Sequence, residues 1–174
     1  GTLFNERLSM KVCVVGAGGV GGLLAAVLRK AGVDVGLLVT ERHRAAIRKN
    51  GLALIAPSGR FSVEIQAELE PRAIGACDVV IVTAKMWALE ALAPTLKPLL
   101  KANTAVIPVQ NGIDAPGVLA KALGWEHVVY GSATMNAAIE EPGVIRQKNP
   151  NYGLTVAEAQ GRESARLLEV KETF

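Results

Sequence analysis

Apolar positions along this chain fall into short continuous runs, separated by stretches with a helical period. The first run, residues 11–15 (Lys-Val-Cys-Val-Val), is largely β-branched and stops at Gly16. It predicts a strand buried on both faces. Over residues 20–30, Leu23, Leu24, Val27 and Leu28 recur at helical spacing and Gly32 ends the pattern, so a helix follows. The alternation continues with a buried strand over 35–39, a helix over 42–49 closed by Asn50-Gly51, and a strand over 79–83. A helix over 87–100, a strand over 104–109, a short helix near 118–123 and a strand over 128–130 complete the series. Pro94 and Pro98 threaten the 87–100 helix, because proline lacks an N–H and crowds the preceding turn.

Two stretches break this rhythm. Residues 52–56 and 60–66 alternate around Pro57-Ser58-Gly59, the pattern of a hairpin. After Met135 come alternating pieces at 135–139, 144–147 and 153–157, with Glu141-Pro142-Gly143 as a turn, and 162–170 reads as the start of a helix. Strand and helix alternating over most of the length implies mainly parallel strands joined by right-handed crossovers, with helices on both faces. The expectation is one doubly wound α/β domain over 10–160. An extension or tag remnant over 1–9 precedes it, and a linker-helix start or irregular tail over 161–174 follows.

Composition narrows the function classes. Half the residues are hydrophobic but only 4% are aromatic, so aliphatic side chains must build the core. A formal charge of +3, with no basic tract denser than Arg42-His43-Arg44 and Arg48-Lys49, argues against nucleic acid as a partner. No apolar run approaches the roughly 18–20 residues that cross a bilayer, so no membrane partner is expected. Cys13 and Cys77 are the two cysteines, and they sit in or beside apolar strands without a CxxC pair. Reduced, buried thiols and a cytoplasmic setting follow. His43 and His127 are isolated in sequence, so neither a metal site nor a Ser-His-Asp set is expected.

The candidate chemistry begins at the end of the first strand. "VVGAGGVGG" fits G-x-G-x-x-G through Gly16, Gly18 and Gly21, with a strand before it, a helix after it and a second strand at βαβ distance. Gly16 permits the tight turn, Gly18 admits a pyrophosphate close to the backbone, and Gly21 allows the helix to pack on the strand. The pyrophosphate would lie at the helix N-terminus among free N–H groups. Gly16, Ala17, Gly18, Gly19, Val20 and Gly21 are therefore candidate cofactor contacts in a Rossmann-type fold, against the plainer reading of glycines used only for packing. Thr40 ends the second strand, followed by Glu41 and Arg42. A small neutral residue beside an arginine favours a 2′-phosphate and hence NADP, with NAD the weaker choice; Glu41 turned inward would reverse that preference.

Lys85 in "VTAKMW" and Asn111 in "VQNGID" follow the ends of two later strands. Ligands of doubly wound sheets sit beyond such ends, although a loop lysine is commonly solvated and Asn-Gly is commonly a turn. In order along the chain, the glycine loop, "VTAKMW", "VQNGID" and "GSATMNAAIEEPGVI" resemble the ketopantoate reductase (2-dehydropantoate 2-reductase) family from Met10 to about Ala157. The resemblance implies that Lys85 and Asn111 lie beside NADPH and a keto acid, and that Ala137 makes a further backbone contact with the cofactor. It implies hydride transfer from NADPH to the ketone of a small 2-oxo acid, giving a 2-hydroxy acid such as pantoate.

Two departures from the family pattern stand out. The family often has Arg directly after the second strand, where this chain has Thr40, so any phosphate contact falls to Arg42. The resemblance also implies a C-terminal helical domain that supplies the general-acid lysine, so the chain by itself is expected to be inactive. Other dehydrogenases on the same cofactor domain, and non-catalytic NAD(P)-sensing modules, remain as rival readings. Homo-oligomer formation stays open, since such a cofactor domain without its neighbour would leave an apolar face uncovered.

Overall fold

The computed structural model describes residues 10–16, 18–109 and 114–158. Five parallel strands form the main sheet: β1 (Lys11–Val15), β2 (Asp34–Leu38), β5 (Gln66–Glu68), β6 (Val79–Val82) and β7 (Ala105–Pro108). Their spatial order is β5-β2-β1-β6-β7. A parallel bridge between Val106 and Val128 brings the start of β8 (Val129–Thr134) beside β7. The order reverses between β1 and β6, so the chain winds outward in both directions from that point.

Period-two alternation explains the two cores. Val12 and Val14 of β1, Val35 and Leu37 of β2, and Val79 and Ile81 of β6 face one side. Cys13, Val15, Leu38, Val80 and Val82 face the other. Both sides are buried, so these strands read as unbroken apolar runs.

On the first side lies α1 (Gly19–Lys30), with Leu23, Leu24, Ala25, Ala26 and Leu28 all buried. It is covered in turn by a second, four-stranded sheet of order β4-β3-β10-β9, made from β3 (Leu52–Ala56), β4 (Gly59–Val63), β9 (Ala137–Glu141) and β10 (Val144–Gln147). Leu52, Leu54 and Ile145 join the same core as α1. That burial on two sides explains why α1 is apolar almost all round. A Cβ added at Gly22 of α1 would strike the side chain of Ile145, so the helix and the second sheet meet at glycine distance. On the other side lie α3 (Pro71–Ile74), α4 (Met86–Leu92), a 3-10 segment (Ala93–Leu99) and α5 (Ala115–Leu123), which contribute Ile74, Leu89, Leu96, Leu99 and Leu119. The remaining helix is α2 (Glu41–Asn50), and β11 (Gly153–Glu158) pairs antiparallel with β8.

Several boundaries differ from the sequence expectation. Residues 60–66 do not form one strand: β4 ends at Val63, and Gln66 opens β5, which leaves the hairpin to pair with β2 in the main sheet. The helix expected over 87–100 stops at Leu92 and tightens into 3-10 geometry containing Pro94 and Pro98, where the missing proline N–H groups are tolerated. The strand expected over 128–130 runs on to Thr134 because β11 pairs along its whole length. The 162–170 helix lies outside the described residues.

Candidate active site

The parallel strands all end on one rim, where Gly16, Gly18 and Thr40 line a common crevice. Gly16 leaves β1 with φ of 101°, a left-handed conformation that side chains resist. Its N–H donates to the Leu38 carbonyl at 3.0 Å, tying the loop to the end of β2. Thr83, just past β6, donates from Oγ1 to the Val15 carbonyl at 2.8 Å, with the Gly16 carbonyl 3.2 Å away. The loop is thus clamped from both neighbouring strands.

The glycines of the motif divide the work. A Cβ at Gly21 would strike the Gly16 carbonyl oxygen and come within 2.6 Å of Thr83 Oγ1, so Gly21 exists for close packing of α1 on the loop. A Cβ at Gly19 would strike the Ala137 carbonyl, which brings β9 against the start of α1. Gly18 is different. It is exposed, is the N-cap of α1 with φ of −69° and ψ of −177°, and a Cβ there would meet nothing within 4 Å. Its backbone tolerates any residue, yet the position opens on empty space at a helix N-terminus, where unpaired N–H groups favour an anion.

That space belongs to a crevice of about 520 Å³, at the point where the strand order reverses. Gly16 and Gly18 line it from the end of β1, Thr40 and His43 from the end of β2, and Ala84 from the end of β6. Leu69, Glu70 and Pro71 after β5, with Leu92, Thr95 and Ile139, make an apolar wall carrying one carboxylate. The lining suits an extended ligand with an anionic centre and a flat apolar end. The geometry and donor set fit a dinucleotide: Gly18 leaves the cradle, α1 supplies N–H groups, and the Leu69–Pro71 side supplies apolar surface.

The described residues among those singled out from sequence each have a definite place. Thr40 lines the crevice and caps α2 without spending its hydroxyl on the helix. Arg42 is exposed and is not among the crevice-lining residues. Glu41 does not turn inward; it pairs with Arg44 at 3.4 Å along the helix surface. Lys85 is the N-cap of α4, immediately after Ala84, exposed and without a side-chain partner among the described residues. It therefore stands on the same rim as the glycine loop. Trp87 beside it is almost fully exposed. Val20 and Ala137 are half-buried and pack against the α1 core. Ala17 and Asn111 lie outside the described residues, although β7, which precedes Asn111, ends on this rim.

Sequence reasoning missed Thr83, His43 and the 69–71 segment. Thr83 carried a local hint, a polar β-branched residue closing an apolar strand. His43 carried none: its Nδ1 accepts the N–H of Gly143 at 3.2 Å, one hundred residues away. Burial lowers the His43 pKa from its ordinary value, and the positive charge of Arg42 adds to the shift. The cysteines are free and buried as expected, with the Cys13 thiol held protonated by its hydrogen bond to Cys77 and by burial.

The model of the ketopantoate reductase PanE/ApbA family matches residues 12–161. The chain belongs to that family. It is 31% identical over 166 residues to an uncharacterized oxidoreductase, YkpB, of Bacillus subtilis, covering 95% of this chain and 54% of the relative. It is likewise 31% identical over 166 residues to a 2-dehydropantoate 2-reductase of Pyrococcus horikoshii, covering 95% and 53%. The crystal structure of 2-dehydropantoate 2-reductase from Geobacter metallireducens superposes with a TM-score of 0.87 at 27% identity, over 94% of this chain and 54% of that one. The chain thus spans about half the length of the curated relatives it matches, and its Rossmann-like architecture is that of the N-terminal portion of the solved structures it resembles.

Proposed function

We propose that this chain is the cofactor-binding part of a reductase that converts a small 2-oxo acid of the ketopantoate type to its 2-hydroxy acid, with NADPH as reductant. The observation that carries this reading is the open cradle at Gly18, a glycine that neither backbone strain nor packing requires. The first turn of α1 would hold a diphosphate there through its N–H groups, and Thr40 with Arg42 would receive the phosphorylated ribose. When bound, the nicotinamide supplies a hydride to the ketone carbon. The Lys85 ammonium draws the negatively charged substrate to this rim, and the Asn111 amide hydrogen-bonds ribose or substrate so that the reacting atoms stay in reach. The proton required by the alcohol oxygen is assigned to a lysine in the half of the relatives' length that residues 1–174 do not span.

One observation favours NADH instead: Glu70 lines the crevice while Arg42 does not, and a carboxylate accepts from ribose hydroxyls but repels a phosphate. Thermal denaturation with each dinucleotide decides. Ligand at one hundred times its Kd stabilises by about 2.7 kcal/mol, so the preferred cofactor gives the larger rise in Tm at equal concentration. A larger rise with NADPH, abolished in Arg42→Ala, is expected; an equal or larger rise with NADH removes Arg42 from the phosphate role. A protein that joins this chain to the remaining half of its relatives' length and reduces no 2-oxo acid with either cofactor would refute the reductase assignment itself.

A further inference from the structure

We propose that His43 is a ligand-binding residue of the crevice, donating from Nε2–H to the oxygen substituent at the 2′ position of the adenosine ribose. The inference rests on the dinucleotide reading above and adds a residue to it. Its basis is a fixed tautomer. His43 Nδ1 lies 3.2 Å from the Gly143 nitrogen and receives its N–H, so Nδ1 carries no hydrogen. A neutral imidazole then has its proton on Nε2, which becomes the ring's one remaining polar atom and a donor. Burial that disfavours the charged ring agrees with this assignment.

The ring is also held in place. Gly143 has φ of 79°, and a Cβ on it would lie 3.2 Å from the Ala46 Cβ of α2. Its carbonyl accepts the Ala53 N–H of β3 at 2.9 Å. The turn between β9 and β10 is therefore pinned to both α2 and β3, and it offers His43 an N–H from a rigid frame. His43 sits one helical turn after Thr40, on the same face of α2, and both line the crevice at the carboxyl end of β2. That is where such folds recognise the adenosine ribose. A carboxylate at this place accepts a hydrogen bond from a 2′-hydroxyl; an imidazole N–H donates one instead, so it serves a 2′-hydroxyl or a 2′-phosphate alike.

Two isosteric substitutions separate the latch from the donor. In His43→Asn, Oδ1 takes the place of Nδ1 and still accepts from Gly143, while the crevice donor is gone. In His43→Gln, the amide nitrogen takes the place of Nε2, while the acceptor is gone. Titration calorimetry and thermal melts of the protein would compare NADPH, NADH and the 2′-deoxyadenosine form of whichever binds more tightly. His43→Asn should melt near wild type yet bind about two- to tenfold more weakly, the value of one hydrogen bond. His43→Gln should bind near wild type and melt lower. Removing the 2′ oxygen should weaken wild-type binding about two- to tenfold more than it weakens His43→Asn, where any contacts from Thr40 and Arg42 are lost equally, a cycle that does not depend on the stability of either variant. Loss confined to NADPH assigns the phosphate, and loss confined to NADH assigns the hydroxyl. Wild-type affinity in His43→Asn, or an equal penalty for the missing oxygen in both proteins, overturns the role of His43 alone. Failure of wild type to bind either dinucleotide overturns the underlying reading as well.

Discussion

Gly18→Val separates ligand binding from folding at the one motif position where the two are independent. The backbone there is extended rather than left-handed, and an added Cβ meets nothing within 4 Å. The fold therefore loses only the modest preference for glycine over valine at an N-cap, up to about 1 kcal/mol. Reduced freedom of the unfolded chain returns roughly 0.4–1 kcal/mol. The melting temperature should stay within about 4 °C of wild type for a chain of this size. Binding should fare differently, because the isopropyl group would fill the space through which, on the proposed reading, a diphosphate reaches the first turn of α1. Losing two charge-assisted hydrogen bonds at about 1.5–3 kcal/mol each weakens affinity by more than about 100-fold. Gly21→Ala is the contrasting case. Its Cβ strikes the Gly16 carbonyl and crowds Thr83 Oγ1, so overpacking of about 1–3 kcal/mol falls on stability itself. Calorimetric titration with NADPH and NADH, beside thermal melts of all three proteins, reads both effects. Binding by Gly18→Val within threefold of wild type, or its unfolding at ordinary temperature, would refute the cradle.

Two further predictions follow from the clamp and the latch. Thr83→Val keeps the shape but removes the bond to the Val15 carbonyl, so it should cost about 1 kcal/mol in denaturant unfolding and weaken dinucleotide binding by loosening the glycine loop; an unchanged denaturation midpoint would show the bond to be idle. His43 has a folded pKa below its ordinary 6.5, so the unfolded chain binds the proton more readily. Its contribution to stability is complete above pH 6.5 and is lost as pH falls toward the folded value; NMR titration of the imidazole at or above 6.5 would contradict this.

The local part of this protein was written in its sequence. Uninterrupted apolar runs announced β1, β2, β6 and β7, since a strand covered on both faces needs no polar position. Helical spacing announced α1, and the glycine fingerprint between β1 and α1 announced the crevice, because tight turns and close packing select glycine residue by residue. The tertiary structure decided what depends on partners distant in the chain. Gln66 left the hairpin for the main sheet because β2 offered an open edge. The hairpin itself joined β10 and enclosed α1 from behind. His43 became part of the crevice through a bond to Gly143. Such pairings are chosen by which surfaces meet after the strands assemble, and periodicity within one segment carries no record of them.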